Sequence, residues 1–129
     1  MSKVERFEDL KTWQLARELC QMIHKFTLKD HFLRDFKLVG QIKSSSGSIM
    51  DNIAEGFERD GNREFIQFLS ISKGSCGETR SQLYRALDSQ YISQIEFDEA
   101  YKMTIEESKM LKSFIQYLKD SDMKGNKFK

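Results

Sequence analysis

Apolar residues recur at three- and four-residue steps through four stretches of the chain, joined by short polar connectors. This pattern predicts four amphipathic helices running up and down in one bundle. The first stretch covers about Glu8 to Phe26, with Leu10, Trp13, Ala16, Cys20 and Ile23 on one stripe. Leu15, Leu19, Met22 and Phe26 form a second stripe beside it, so the apolar face is wider than one core requires, and the surplus predicts a subunit interface. The second stretch covers about Leu33 to Phe57, with Phe36, Val39, Ile42, Ile49 and Ile53 at helical spacing. In its middle lies Ser44-Ser45-Ser46-Gly47-Ser48, a run of poor helix formers whose small side chains admit a close neighbour, so packing has to hold it helical.

Gly56 or Gly61 suits a left-handed turn after that helix, and Asn62 suits the N-cap of the third, which covers about Arg63 to Gln90. Its stripe is Phe65, Phe68, Leu69, Ser72, Cys76, Thr79, Leu83 and Leu87. Ser93-Gln94-Ile95-Glu96 has the spacing of a capping box and opens a fourth helix expected to reach about Lys119. That helix carries Phe97, Ala100, Thr104, Leu111, Phe114, Ile115 and Leu118 toward the core. The domain expectation is one bundle over residues 1–120, followed by a flexible, lysine-rich tail over 121–129.

Composition agrees with an all-α fold. The 129 residues include no proline and seven glycines, and 39% of them are hydrophobic, enough for one core without metal or disulfide support. Cys20 and Cys76 fall inside helical patterns and read as buried free thiols. No stretch approaches the roughly 18 apolar residues of a membrane span, and the charged first residues lack the apolar run of a signal peptide, so the expected location is the cytoplasm. The formal net charge is +1, so no overall field draws the chain to nucleic acid or to an anionic membrane. The charge is nevertheless sorted. Residues 24–50 hold five basic and two acidic groups, 51–64 two and five, 94–108 one and five, and 109–129 six and two.

Candidate chemistry is sparse. Asp51 and Glu55 lie four apart on one helix face, but no glutamate precedes His24 or His31 by three residues, as a di-iron bundle would need, and no zinc-like spacing occurs. Gly56 and Gly61 have the spacing of a P-loop, yet Asn62-Arg63 stands where Lys and Ser or Thr are required. These features predict no enzyme, no cofactor, no metal and no small-molecule substrate. Gln41, Ser45, Ser48, Asn52 and Glu55 make a polar row on the second helix, matched on the third by Ser75, Glu78 and Gln82, and the two rows are expected to cross-bond the helices. Lys25, Lys29, Arg34, Lys37 and Lys43, with Phe32 and Phe36 nearby, are the best candidates for contacts to an RNA or DNA backbone. A solvated basic face is the plainer reading of the same residues.

Taken in order, Phe7-Glu8-Asp9-Leu10, Trp13-Gln14-x-Ala16, Gln41-Ile42, Ser48-Ile49, Asn52-Ile53-Ala54-Glu55-Gly56, Phe65-x-x-Phe68-Leu69, Gly74-Ser75 and Glu78 resemble the four-helix bundle proteins encoded within 23S rRNA intervening sequences. Those proteins are related to the accessory variability determinant of diversity-generating retroelements. The resemblance implies an antiparallel four-helix bundle assembling into a ring-like homopentamer, hence a non-enzymatic scaffold or accessory protein whose main partner is itself. Retroelement accessory relatives are strongly basic and associate with a reverse transcriptase and nucleic acid. This chain departs from the pattern at Lys43-Ser44-Ser45-Ser46-Gly47, where paired arginines followed by alanine are usual, so bidentate phosphate contacts are lost there. An RNA- or DNA-binding role through segments 25–43 and 109–129 is the alternative expectation.

Overall fold

The predicted periods become four long helices. A computed structural model of the protein describes residues 4–127, with side chains from Val4 to Ser121. A 3-10 turn, Phe7–Asp9, leads into α1 (Lys11–Thr27). A short α2 (Asp30–Arg34) turns the corner into α3 (Phe36–Glu58), and α4 (Asn62–Asp88) and α5 (Gln94–Lys127) complete the order. The backbone of α5 continues as helix past the expected end near Lys119. The flexibility expected of 121–129 falls, but for Ser121, outside the residues whose side chains are described. No helix among the described residues is long and apolar enough to cross a membrane.

Neighbouring helices are antiparallel, as their cross-contacts show. Ser45 of α3 meets Thr79 and Gln82 of α4, while Ser48 meets Ser75, one turn earlier on α4. Phe65 of α4 packs on Phe114 of α5, and Tyr84 packs on Phe97. α1 closes the bundle by packing on both α3 and α5. That double packing explains its wide apolar face. Leu19 and Phe26, expected in a subunit interface, are buried inside the protomer, and only Leu15 and Met22 of that stripe are half-exposed. The central layer of Leu19, Ile23, Ile42, Ile49, Ile53, Leu69, Leu83 and Leu111 is fully buried, each side chain contributing roughly 1.5–3 kcal/mol of transfer free energy.

The expected second helix is broken at Asp35. This residue leaves the helical region, with φ −85° and ψ 76°, and its carboxylate accepts from the Leu38 amide, so it caps α3 in place of extending α2. The cap register places Phe36 in solvent at 81% exposure and gives the core position to Leu38, against the stripe expected from the sequence. At the next corner Gly61, with φ 100°, takes the N-cap position expected of Asn62. Gly56, the other candidate for that turn, is helical and buried. A Cβ on it would sit 2.7 Å from Phe68 Cβ and 2.9 Å from Phe65 Cδ1, so hydrogen at this position lets α3 and α4 approach closely. The capping box at α5 forms as expected: the Glu96 amide donates to Ser93 Oγ, and the Ser93 amide donates to Glu96 Oε1.

Candidate functional site

Three features of the folded chain could carry function: a polar seam between α3 and α4, a carboxyl group in the core, and a basic, partly apolar end of the bundle.

The serine run places small hydroxyls where α3 and α4 touch. Ser45 Oγ donates to Gln82 Oε1 and lies 2.8 Å from Thr79 Oγ1, which itself donates to the Ser75 carbonyl at 2.9 Å. Ser72 Oγ donates to the Ile49 carbonyl at 2.8 Å. Ser48 and Ser75 hydroxyls lie 2.8 Å apart, and Asn52 Nδ2 donates to both the Oγ and the carbonyl of Ser48 at 2.8 Å. The two rows therefore bond across the seam through Ser45, Ser48, Ser75 and Gln82. The outer members diverge. Gln41 accepts at 3.0 Å from Arg85, an α4 residue outside the matched row, Glu55 pairs with Arg59 just past the end of α3, and Glu78 is exposed, touching only Gln82 at 3.5 Å. Asn52 pairs within α3, so it takes no direct part in the cross-bonding expected of the two rows. The seam has few free polar atoms to offer a ligand, because its hydroxyls already bond one another.

The residue missed by pattern reading is Glu107. It lies on the core stripe of α5 between Thr104 and Leu111, is 0% exposed, and neither carboxylate oxygen has a hydrogen-bond partner. Burial pushes its carboxyl up to about 8, with Glu106 beside it acting in the same direction. The two thiols flank this layer. Cys76 Sγ donates to the Thr104 carbonyl at 3.2 Å, and Cys20 Sγ donates to the Ser46 carbonyl at 3.1 Å. Burial raises Cys76 to about 11 and also raises Cys20, with Glu107 adding to both. Such thiols are protonated and weakly nucleophilic. The spacing of Glu107, three residues after Thr104 and four before Leu111, was available in the sequence; its acidic character hid it from an apolar count. Among the described residues no group of three or more His, Cys, Asp or Glu could hold a metal ion.

The basic candidates divide. Lys29 is bonded to Glu96, whose carboxyl is held low by that lysine and by the Ser93 amide, and Arg34 pairs with Asp30 at 3.0 Å. Lys25, Lys37 and Lys43 are exposed and make no ion pair among the described residues. Of the two aromatic neighbours, Phe32 is buried and stacks on Tyr91 with ring centres 5.1 Å apart, so it cannot meet a base. Tyr91 hydroxyl donates to Asp35 at 2.9 Å, tying the α2–α3 corner to the α4–α5 connector. The ends of α1 and α4 and the starts of α3 and α5 meet here. At this same end Phe36, Ile95, Leu28 and Leu33 are 81%, 72%, 58% and 45% exposed.

A family model described as 23S rRNA-intervening sequence protein matches residues 8–113. Among solved structures, the chain is similar to a protein with unknown function from the S23 ribosomal protein family of Bacteroides thetaiotaomicron VPI-5482. The TM-score is 0.74 at 25% identity, over 81% of this chain and 97% of the other. No protein of curated function matches.

Proposed function

The chain belongs to the 23S rRNA-intervening sequence protein family, and from that premise we propose that it is a cytoplasmic, non-enzymatic scaffold or accessory protein that works as a homo-oligomer. One observation carries this reading: four large apolar side chains, Leu28, Leu33, Phe36 and Ile95, stand in solvent at a single end of the bundle. Isolated exposed apolar residues are ordinary, but several gathered at one end of a small domain fit a surface that a partner covers. The partner is a second copy of the chain, in keeping with the ring-like homopentamer implied by the resemblance. The interface sits at this end and not on the Leu15, Leu19, Met22 and Phe26 stripe, half of which the protomer itself consumes. The absence of catalysis is supported by the seam, where the hydroxyls are spent on one another, and by thiols held in the protonated form.

Light scattering coupled to gel filtration tests the assembly. The parent protein is expected to run as a multimer, and Phe36→Glu with Ile95→Glu as the protomer with unchanged helicity, because both side chains are already in water and neither change disturbs the core. A monomeric parent, or a variant that keeps the parent mass, overturns this interface. Charges placed on the α1 stripe cannot serve as the test, since Leu19 is fully buried and Leu19→Glu would unfold the protomer.

The second reading is nucleic-acid binding, and it rests on Lys25, Lys37 and Lys43, the three candidate cations left without a carboxylate among the described residues. With Phe36 exposed beside Lys37, this surface offers point charges and one stacking ring.

A further inference from the structure

Among the described residues, Glu107 is a fully buried carboxyl that neither the fold nor the proposed assembly uses. An ionised carboxylate removed from water with no donor costs far more than a neutral acid in the same place, so the protein accommodates it by keeping the proton. Its surroundings leave little alternative. α1 presents the Cys20 thiol, with Asp51 of α3 close to that thiol. α4 presents the Cys76 thiol, with Lys73 and Arg80 near it, and α5 itself contributes Glu106. Neither cation bonds to Glu107, and no other does among the described residues. Neutral thiols cannot stabilise a carboxylate by charge, and Glu106 opposes its ionisation. α5 packs far less extensively on α1 than on α4, and surface clefts border the α1–α5 side, one lined by Leu10, Met110 and Phe114 and another by Met22, Phe26 and Glu99, so this is the side of the bundle that yields most easily.

We propose that Glu107 is a buried proton-binding site that makes the bundle pH-responsive: the protonated carboxyl lets α1, α4 and α5 close on it, and loss of the proton to solvent loosens α5 from α1. The sign follows from linkage. The folded carboxyl titrates near 8 and the unfolded one near its ordinary 4.5. Below about 4.5 both states are protonated and the group does not penalise folding. Between about 4.5 and about 8 only the folded state keeps the proton, so the folded-to-unfolded ratio falls about tenfold per pH unit from this group. Above about 8 both states release it and the loss levels off, leaving a charge inside whatever fold persists.

Equilibrium unfolding of the full chain at pH 5 to 9, against Glu107→Gln, tests the linkage. The variant has nearly the same shape and no titration, so its stability advantage over the parent is expected to widen about tenfold per pH unit up to about 8. Parallel pH profiles overturn the proposal. Two measurements on the parent protein decide the matter even where the variant fails to fold. Infrared spectroscopy at pH 7 is expected to show one neutral carboxylic acid band that persists well above the ordinary carboxylate range; its absence overturns the proposal. Hydrogen exchange is expected to show protection factors of α1 and α5 amides falling through pH 8 while those of the α3–α4 seam hold. A uniform response across all four helices overturns the loosening of α5.

Discussion

Gly56 shows how a single hydrogen atom can set the distance between two helices. It ends the Asn52-Ile53-Ala54-Glu55-Gly56 run and faces Phe68 Cβ, an atom fixed to the backbone of α4 that cannot swing aside. Gly56→Ala would place a methyl group 2.7 Å from it, and the helices would have to separate locally. The expected cost is roughly 1–3 kcal/mol, although alanine is the better helix former by about 1 kcal/mol. Chemical denaturation decides the sign, and an alanine variant as stable as the parent would show that the seam yields more easily than its contacts suggest. Ser45 and Ser72 obey the same logic in a milder form. Small side chains permit the approach, and their hydroxyls then find acceptors on the facing helix. The run is thus unfavourable by intrinsic propensity and favourable in place.

At the scale of elements, the corners do more than the helix interiors to decide where functional groups lie. The Ser93 and Glu96 box starts α5, and Glu96 also takes Lys29 from the α1–α2 corner, so one side chain joins two connectors. Ser93→Ala should lower stability by about 1 kcal/mol, read as a shift in denaturation midpoint without a change in slope. No shift would mean that the Glu96 arm of the box suffices alone. The long periodic stretches, the α4 bounds and this box were legible from spacing because each is a local signal repeated over several turns. The break at Asp35 was not, because the apolar stripe runs through it without interruption; the capping carboxylate is also held by Tyr91, 56 residues away in sequence, which donates to it. Phe36 was assigned inward for the same reason: a register set by a cap cannot be seen in an apolar count. Glu107 was passed over because a charged residue at a core position breaks the binary pattern, and such breaks mark the places where a fold carries something other than stability.

For the whole molecule, the sorted charges bear on whether anything anionic is recognised. The end that gathers the exposed apolar residues also holds Lys25 and Lys37, and Lys43 lies about one and two-thirds turns further along α3. Lys29 and Arg34 are already matched by Glu96 and Asp30, so at most three of the five candidate cations are available for phosphate without breaking an ion pair. Each phosphate contact contributes about 0.7–0.9 to the slope of log affinity against log salt, which limits this surface to a slope of roughly 2–3 per protomer. A salt titration with structured RNA therefore separates the readings by magnitude. A slope near that value, lost when Lys25, Lys37 and Lys43 are changed to Gln but unaltered by Lys29→Gln, would identify the nucleic-acid surface. A much steeper slope would implicate cations beyond these five, or several protomers on one RNA, and the light-scattering mass of the complex distinguishes those two. No binding at moderate salt would leave the exposed apolar end, and with it self-association, as the surface through which this bundle acts.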